Sequence, residues 1–326
     1  MTTIHRRTLL ATLGAAGLAA TLAPGVSLAQ AFPSQPVSIV VPFPAGGGGD
    51  FAARMVADKL AVQLGVPVNV INRPGGDGVI GASEVAHATP DGYTLLMATP
   101  SPMAYVPAIH RTNPPYDPLT DFRAVSTFAS YVFVFAVNSD LPVTDLAGFV
   151  DYVHAHPGEV NYGTGDSTSI IAMAQFAQGA DLDMVHIPYN GSADAQADLV
   201  ANRIQGMFLT FDGLSRLGDA VRPLAVLYPE RSSLVPDMPT FQELGYAGVD
   251  LLPWSGFFTT GGAPDEVVNA MSGALQTVLA DPELVSRFEA FGNSVAGSPP
   301  EVLNDILVQQ LAVWRHMVDV AGIETD

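Results

Sequence analysis

The chain has 326 residues, no cysteine and a formal net charge of −19 at pH 7. Without cysteine it has no thiolate nucleophile, no cysteine-ligated metal and no disulfide. A chain this acidic is repelled by nucleic acid and by anionic lipid. We therefore expect neither a nucleic-acid partner nor direct insertion into a membrane. The length is sufficient for a large core and two domains.

Residues 1–31 have the pattern of an export signal. Two adjacent arginines, Arg6 and Arg7, precede an apolar run that is too short and too small-sided to span a bilayer. Small residues then offer cleavage after Ala29 or Ala31. The arginine pair resembles a twin-arginine signal, and an ordinary secretory signal is the alternative. With either signal we expect a periplasmic protein.

Beyond the leader, short apolar runs alternate with helical patterns. The first run, Ile39–Val41, is followed by a glycine loop and by a helical pattern that ends at Gly65. A strand at Val68–Asn72, a helix at Val79–Ala88 and a strand at Tyr93–Ala98 come next. This order predicts a parallel sheet with helices on its faces.

Two long apolar runs, Phe128–Val137 and Leu251–Phe258, bracket a middle unit of further strands and helices. The last residues of the chain have helical patterns. We therefore expect an α/β fold with two αβ domains, joined by two crossing strands, with a ligand cleft between them. Domain 1 would comprise residues 32–130 plus 255–326, and domain 2 would comprise residues 131–254.

Loops of glycine and small polar residues follow the predicted strands. The first loop contains four consecutive glycines before Asp50 and lacks the Gly-Lys-Ser/Thr of a nucleotide P-loop. The five loops are residues 42–50, 99–101, 164–168, 189–192 and 211–213. Their hydroxyls and backbone N–H groups at helix N-termini suit a small carboxylate held without lysine or arginine. For each loop taken alone, an ordinary cap or tight turn is the alternative.

Signatures of an enzyme are weak. The chain lacks a Gly-x-Ser-x-Gly elbow, a His-Glu-x-x-His motif and EF-hand spacing. His154 and His156 could chelate a metal, but a Pro-Gly turn follows them, and a solvated helix C-terminus is the better interpretation. We expect no catalysis, no metal and no cofactor, with an exported hydrolase or transferase as the alternative.

Several longer motifs occur in one order along the chain. They are Phe32-Pro33-Ser34-Gln35-Pro36, Val41-Pro42-Phe43-Pro44-Ala45-Gly46-Gly47 with Asp50, Asn72-Arg73-Pro74-Gly75-Gly76-Asp77-Gly78, Pro90-Asp91-Gly92-Tyr93, His186-Ile187-Pro188-Tyr189-Asn190-Gly191 and Pro236-Asp237-Met238-Pro239-Thr240. Together they resemble the periplasmic solute-binding proteins of tripartite tricarboxylate transporters, also called Bug receptors.

The resemblance implies a type II periplasmic-binding-protein fold that closes around an organic carboxylate. It further implies a monomer that delivers this ligand to membrane permease subunits, and a sensor partner of a membrane kinase is the alternative role. The implied ligand-binding residues are Phe43, Pro44, Ala45, Gly46, Gly47, Thr99, Pro100, Ser101, Thr164, Gly165, Asp166, Ser167, Thr168, Tyr189, Asn190, Gly191, Asp212 and Trp254.

The chain departs from the family pattern at two places in the second domain. Asn190 stands where many members have lysine, and the helix after Gly165 begins Asp166-Ser167 without the usual histidine. These departures favour a mono- or dicarboxylate over a tricarboxylate such as citrate. An amino group on the ligand could meet Asp166 or Asp212.

Overall fold

The computed structural model describes residues 32–189, 191–228, 231–232, 235–246, 249, 253–320 and 322–326. The predicted export signal and Asn190 lie outside the described residues. The strands are β1 Val37–Val41, β2 Val68–Asn72, β3 Thr94–Ala98, β4 Phe122–Tyr131, β5 Phe133–Asn138, β6 Asn161–Thr164, β7 Val185–Pro188, β8 Gly206–Thr210, β9 Val221–Leu227, β10 Trp254–Thr260 and β11 Asn293–Val295.

Helices cover both faces of each sheet. They are α1 Gly48–Leu64, α2 Val79–Ala86, α3 Val106–Ile109, α4 Leu146–Ala155, α5 Ser167–Gly179, α6 Ser192–Val200, α7 Phe211–Leu217, α8 Asp265–Leu279, α9 Pro282–Glu289 and α10 Pro300–Val320. A π-helix, Ser101–Tyr105, leads directly into α3. Among the helices of the described residues, none combines the length and the apolar character needed to cross a membrane.

The strands form two sheets, in the order β11-β4-β10-β3-β1-β2 and β7-β6-β8-β5-β9. β1 pairs in parallel with β2 and β3, and β6 pairs in parallel with β7 and β8. The predicted parallel arrangement is therefore confirmed at the start of each unit. Both sheets are nevertheless mixed, because β10 runs antiparallel to β3 and β4, and β5 runs antiparallel to β8 and β9.

The chain passes between the sheets twice. β4 ends at Tyr131 in the first sheet, and β5 begins at Phe133 in the second. The return lies between Leu227, which ends β9, and Trp254, which begins β10. The predicted two αβ domains joined by two crossings are confirmed. The first apolar run is two strands, one in each sheet, because the crossing occurs within the run.

The last helix, α10, packs against both units. Leu303 and Leu307, near its start, belong to the core on one face of the first sheet. Trp314 and Met317, three turns later, belong to the aromatic core of the second sheet. The Trp314 ring also meets Tyr105 of the π-helix edge-on, at 5.9 Å between ring centroids. This apolar stripe holds the two units together along one side.

Phe135 of β5 lies at the centre of the second core. It is fully buried, and its ring centroid is 5.1 Å from that of Phe149 and 5.4 Å from that of Phe208. We expect Phe135→Ala to lower the free energy of unfolding by about 3–5 kcal/mol, because it removes buried apolar surface and leaves a cavity. Urea unfolding followed by circular dichroism measures this loss.

Val62→Ala is the control, because Val62 is 83% exposed on α1 and should cost no more than about 0.5 kcal/mol. Equal losses in the two variants would contradict this assignment of the core.

Candidate functional site

Three loops of the first domain converge at the carboxyl ends of β1, β2 and β3. Gly78, in the loop after β2, makes this approach feasible, since a Cβ there would lie 3.2 Å from the Cβ atoms of both Pro42 and Pro102. Ser101 Oγ donates a hydrogen bond to the carbonyl of Asp77 at 3.1 Å, which links the second loop to the third. The predicted loops at residues 42–50 and 99–101 therefore lie side by side.

Hydrogen bonds and an ion pair stabilise the conformation of the first loop. Gly46 has a φ of +80°, and its N–H donates to Asp50 Oδ2 at 2.9 Å. Arg54 pairs with Asp50 at 2.9 Å between nitrogen and oxygen, and Asn72 Nδ2 donates to the carbonyl of Phe43 at 3.1 Å. The hydrogen bond from the Gly46 N–H to Asp50 agrees with the alternative interpretation of the loop as a tight turn. Because the Gly46 N–H is bonded to Asp50, it is not a free donor for a ligand.

The free donors of this loop belong to the first turn of α1. Its N-cap is Gly47, and no side chain caps the helix. The N–H groups of Gly48 and Gly49 meet no acceptor among the described residues. Such a helix start carries partial positive charge and binds anions. Residues 44–48 are exposed, so the donors are accessible.

Asp50 does not cancel the positive character of this helix start, because its own charge is compensated. The hydrogen bond from Arg54, followed by that from the Gly46 N–H, lowers the pKa of Asp50 to about 2. The carboxylate is buried, whereas the Arg54 side chain is about half exposed. Arg54 therefore keeps the Asp50 carboxylate ionised and compensates its negative charge.

The loop after β3 offers a second uncapped helix start. Thr99 is half-buried, Pro100 is buried, and the π-helix that begins at Ser101 has no side-chain cap. π-Helical turns occur frequently at functional sites. The hydroxyl of Tyr116 donates to the carbonyl of Pro102 at 2.7 Å and so satisfies a buried acceptor of this irregular turn.

In the second domain, the loops after β6 and β7 also meet. A Cβ on Gly165 would lie 2.4 Å from the backbone nitrogen of Ser192, so only glycine allows this approach. Asp166 is the N-cap of α5, and its Oδ1 accepts from the N–H of Ser169 at 2.9 Å. Ser192 Oγ lies 3.4 Å from Asp166 Oδ2. Burial raises the pKa of Asp166 above its usual range.

α1 and α5 therefore differ at their helix starts. α1 begins at glycines and has no side-chain cap, whereas the carboxylate of Asp166 caps the start of α5. The N-caps of α6 and α7 are Gly191 and Thr210, and neither helix has a side-chain cap. Asp212 lies exposed in the first turn of α7, 4.0 Å from Arg216.

Three predicted site residues have their polar atoms engaged or buried within the protein. Thr164 is buried, and its Oγ1 lies 2.6 Å from His186 Nε2. The Tyr189 hydroxyl donates to Asp198 Oδ2 at 2.7 Å, near the far end of α6. Trp254 is buried in the core of the first domain, and its Nε1–H has no acceptor among the described residues. Ser167 and Thr168 are also buried.

The two domains touch at the edge of the site. A Cβ on Gly292 would lie 2.3 Å from Phe211 Cβ, so the start of α7 rests on the turn between α9 and β11. α5 also contacts the π-helix of the first domain. Phe211 and α5 of the second domain thereby contact the first domain.

Sequence reasoning gave no role to two residues that shape the site. Arg54 and Asn72 brace the first loop. Arg54 lies four residues after Asp50, and this spacing favours an ion pair on one helix face. The ion pair could therefore have been predicted from the sequence. Asn72 ends a neighbouring strand and offered no local signal.

The two histidines considered as metal ligands are bonded to backbone. His154 Nε2 lies 3.0 Å from the carbonyl of Ala180, and His156 Nδ1 lies 2.8 Å from that of Tyr152. In the described part of the chain, no group of three or more His, Asp or Glu side chains is placed to hold a metal ion. These contacts support the interpretation as a helix end.

Asp50→Asn tests the bracing pair through its pH dependence. Because the pKa of Asp50 in the fold is about 2, below its ordinary 3.8, the ionised pair stabilises the fold above pH 4 and is lost as the pH falls through 2. We expect the variant to unfold at a lower urea concentration at pH 7, with the difference shrinking between pH 4 and pH 2.

Asp58→Asn, at an exposed position on the same helix, is the control and should change stability by no more than about 0.5 kcal/mol. A difference between Asp50→Asn and the parent protein that stays constant from pH 7 to pH 2 would exclude the ion pair as its source.

Comparison with known proteins gives one family. Residues 52–323 match the family model described as the tripartite tricarboxylate transporter family receptor. Among curated proteins, a Pseudomonas sp. (strain P51) protein from the tcbD-tcbE intergenic region is 33% identical over 93% of this chain and 92% of its own length. Protein BugT of Bordetella pertussis is 32% identical over 96% of this chain and 97% of its own length.

Solved structures agree with these relatives. A Rhodopseudomonas palustris protein with adipate has a TM-score of 0.82 and 29% identity, covering 90% of this chain and all of its own. MatC from the same organism, with bound malate, has a TM-score of 0.77 and 27% identity, covering 88% of this chain and all of its own. The chain belongs to the tripartite tricarboxylate transporter receptor family, whose members are periplasmic binding proteins and not enzymes.

Proposed function

We propose that this receptor captures a small organic mono- or dicarboxylate in the cleft between its two domains. The observation that carries the proposal is the uncapped start of α1, with free N–H donors at Gly48 and Gly49 beside a carboxylate already neutralised by Arg54. The adipate and malate bound by two relatives support an aliphatic acid as ligand.

One ligand carboxylate would lie against the loops at residues 42–50 and 99–101. The donors would be the first turn of α1 and the start of the π-helix, which lie side by side. The second domain would close over the rest of the ligand with its loops at residues 164–168, 189–192 and 211–213. The negative charge of Asp166 and Asp212 disfavours a ligand with three carboxylates.

Closure requires a hinge. We place the domains at residues 32–130 plus 255–326 and at residues 131–254, with the strand ends Tyr131 and Trp254 at the hinge. Cleavage of the export signal near Ala29 or Ala31 would release a monomer to the periplasm, where the closed form docks on the permease subunits and delivers the ligand.

A thermal-shift panel of mono-, di- and tricarboxylates tests the ligand class. A ligand present at about 100 times its dissociation constant stabilises the folded state by about 2.7 kcal/mol. For a chain of this size we expect a rise in Tm of about 5 °C. Adipate or malate analogues should give this rise, and citrate should give none. A rise confined to citrate-like triacids would contradict the proposal.

Gly46→Val tests the loop itself. A Cβ at this position meets no atom within 4 Å, but its φ of +80° strains a β-branched residue by about 1–2 kcal/mol. We expect the variant to fold and to lose the ligand-induced rise in Tm, because the loop relaxes away from its shape.

Gly65→Val is the matched control at the other end of α1, with a φ of +71° and no atom within 4 Å of the added Cβ. It should suffer similar strain and keep the ligand-induced rise. If Gly46→Val keeps the rise as well, the loop does not bind the ligand.

A further inference from the structure

Gly292 and Phe211 form a contact between the two domains. Gly292 lies in the turn between α9 and β11 of the first domain, and Phe211 is the first residue of α7 in the second. A Cβ on Gly292 would lie 2.3 Å from the Cβ of Phe211, which is more than 1 Å shorter than an ordinary contact of 3.4–4 Å. The backbone of Gly292 therefore already touches Phe211, and the domains cannot approach further at this point.

The contact lies beside the first crossing between the sheets. Asn293, which follows the glycine, pairs with Tyr131 at the end of β4. Thr210, which precedes the phenylalanine, pairs with Phe133 at the start of β5. Because paired strands are about 4.8 Å apart, the contact is about one strand spacing from the crossing. A small shift at the contact is therefore magnified in the parts of the cleft that lie farther from the crossing.

Both partners of the contact adjoin loops that we expect to hold the ligand. Phe211 begins the loop at residues 211–213, at the carboxyl end of β8. In the first domain, Phe291 packs edge-on against Phe51 of α1, at 5.5 Å between ring centroids, and Phe51 directly follows Asp50. The contact therefore lies on the side of the crossing that carries the candidate site, and it links the start of α1 to the start of α7.

The end of α9 alone does not account for so close an approach. Gly292 has a φ of +77°, and its N–H donates to the carbonyl of Glu289 at 2.9 Å, so glycine suits this helix end. Gly65 ends α1 in the same way, with a φ of +71°, yet no atom lies within 4 Å of a Cβ added there. At position 292 the missing Cβ additionally lets the second domain approach.

We propose that the contact between Gly292 and Phe211 is a stop that sets how far the two domains close, and that it thereby selects the chain length of the ligand. This inference rests on the proposed function and sharpens its ligand class. One end of the ligand lies at the start of α1, and the loops of the second domain close over the other end. A fixed limit of closure suits one chain length, because a longer acid holds the domains apart and a shorter acid does not reach both.

Isothermal titration with two series of straight-chain acids tests the inference. The monocarboxylates run from butyrate to octanoate, and the dicarboxylates run from succinate to suberate. For the parent protein we expect one best length, with a loss of about tenfold in affinity for one methylene more or less. Gly292→Ala should move the best length up by at least one methylene, because the added Cβ holds the domains farther apart.

Two further variants separate the stop from a merely structural role. Phe211→Gly removes the atoms that meet Gly292, so the domains close further and the best length should move down. Combining Gly292→Ala with Phe211→Gly should return the best length towards that of the parent protein. Gly65→Ala is the matched control, because it strains a left-handed helix end equally without meeting another atom, and it should leave the best length unchanged.

An equal loss of affinity for every acid in Gly292→Ala would overturn the inference while leaving the proposed function intact. An unchanged best length in Phe211→Gly would do the same, and this variant decides the matter if Gly292→Ala does not fold. Binding of no acid in either series by the parent protein would overturn the proposed function and this inference together.

Discussion

The start of α1 is the feature on which the site depends. The helix begins on consecutive glycines, no side chain caps it, and the adjacent carboxylate of Asp50 is tied to Arg54. Free backbone donors at a helix N-terminus attract an anion, and the ion pair prevents Asp50 from repelling it. A carboxylate can therefore be held here with no lysine or arginine of its own, which suits a receptor whose net charge is −19.

The fold brings the other parts of the site to this helix start. Because β3, β1 and β2 are adjacent and parallel, their carboxyl ends and the loops that follow lie together. Glycines at positions 78 and 165 allow the loops of each domain to approach closely. α10 packs against both cores on one side and so links the two units.

Local patterns in the sequence were sufficient for the alternation of strands and helices and for the two crossings, because each depends on neighbours in the chain. The local patterns did not predict where side chains point. Tyr189 and Trp254 stay predicted ligand contacts, and the structure adds that the Tyr189 hydroxyl is bonded to Asp198 and that Trp254 is buried.

The central claim is that backbone donors at the start of α1 hold the ligand carboxylate, and glycine-selective 15N labelling tests it most directly. Amide spectra would be recorded while the acid with the largest thermal shift is titrated to saturation. The account predicts that the amide resonances of Gly48 and Gly49 move downfield, while those of Gly65 and Gly218, at helix C-termini, stay in place. Saturable binding with the Gly48 and Gly49 resonances unmoved would contradict it.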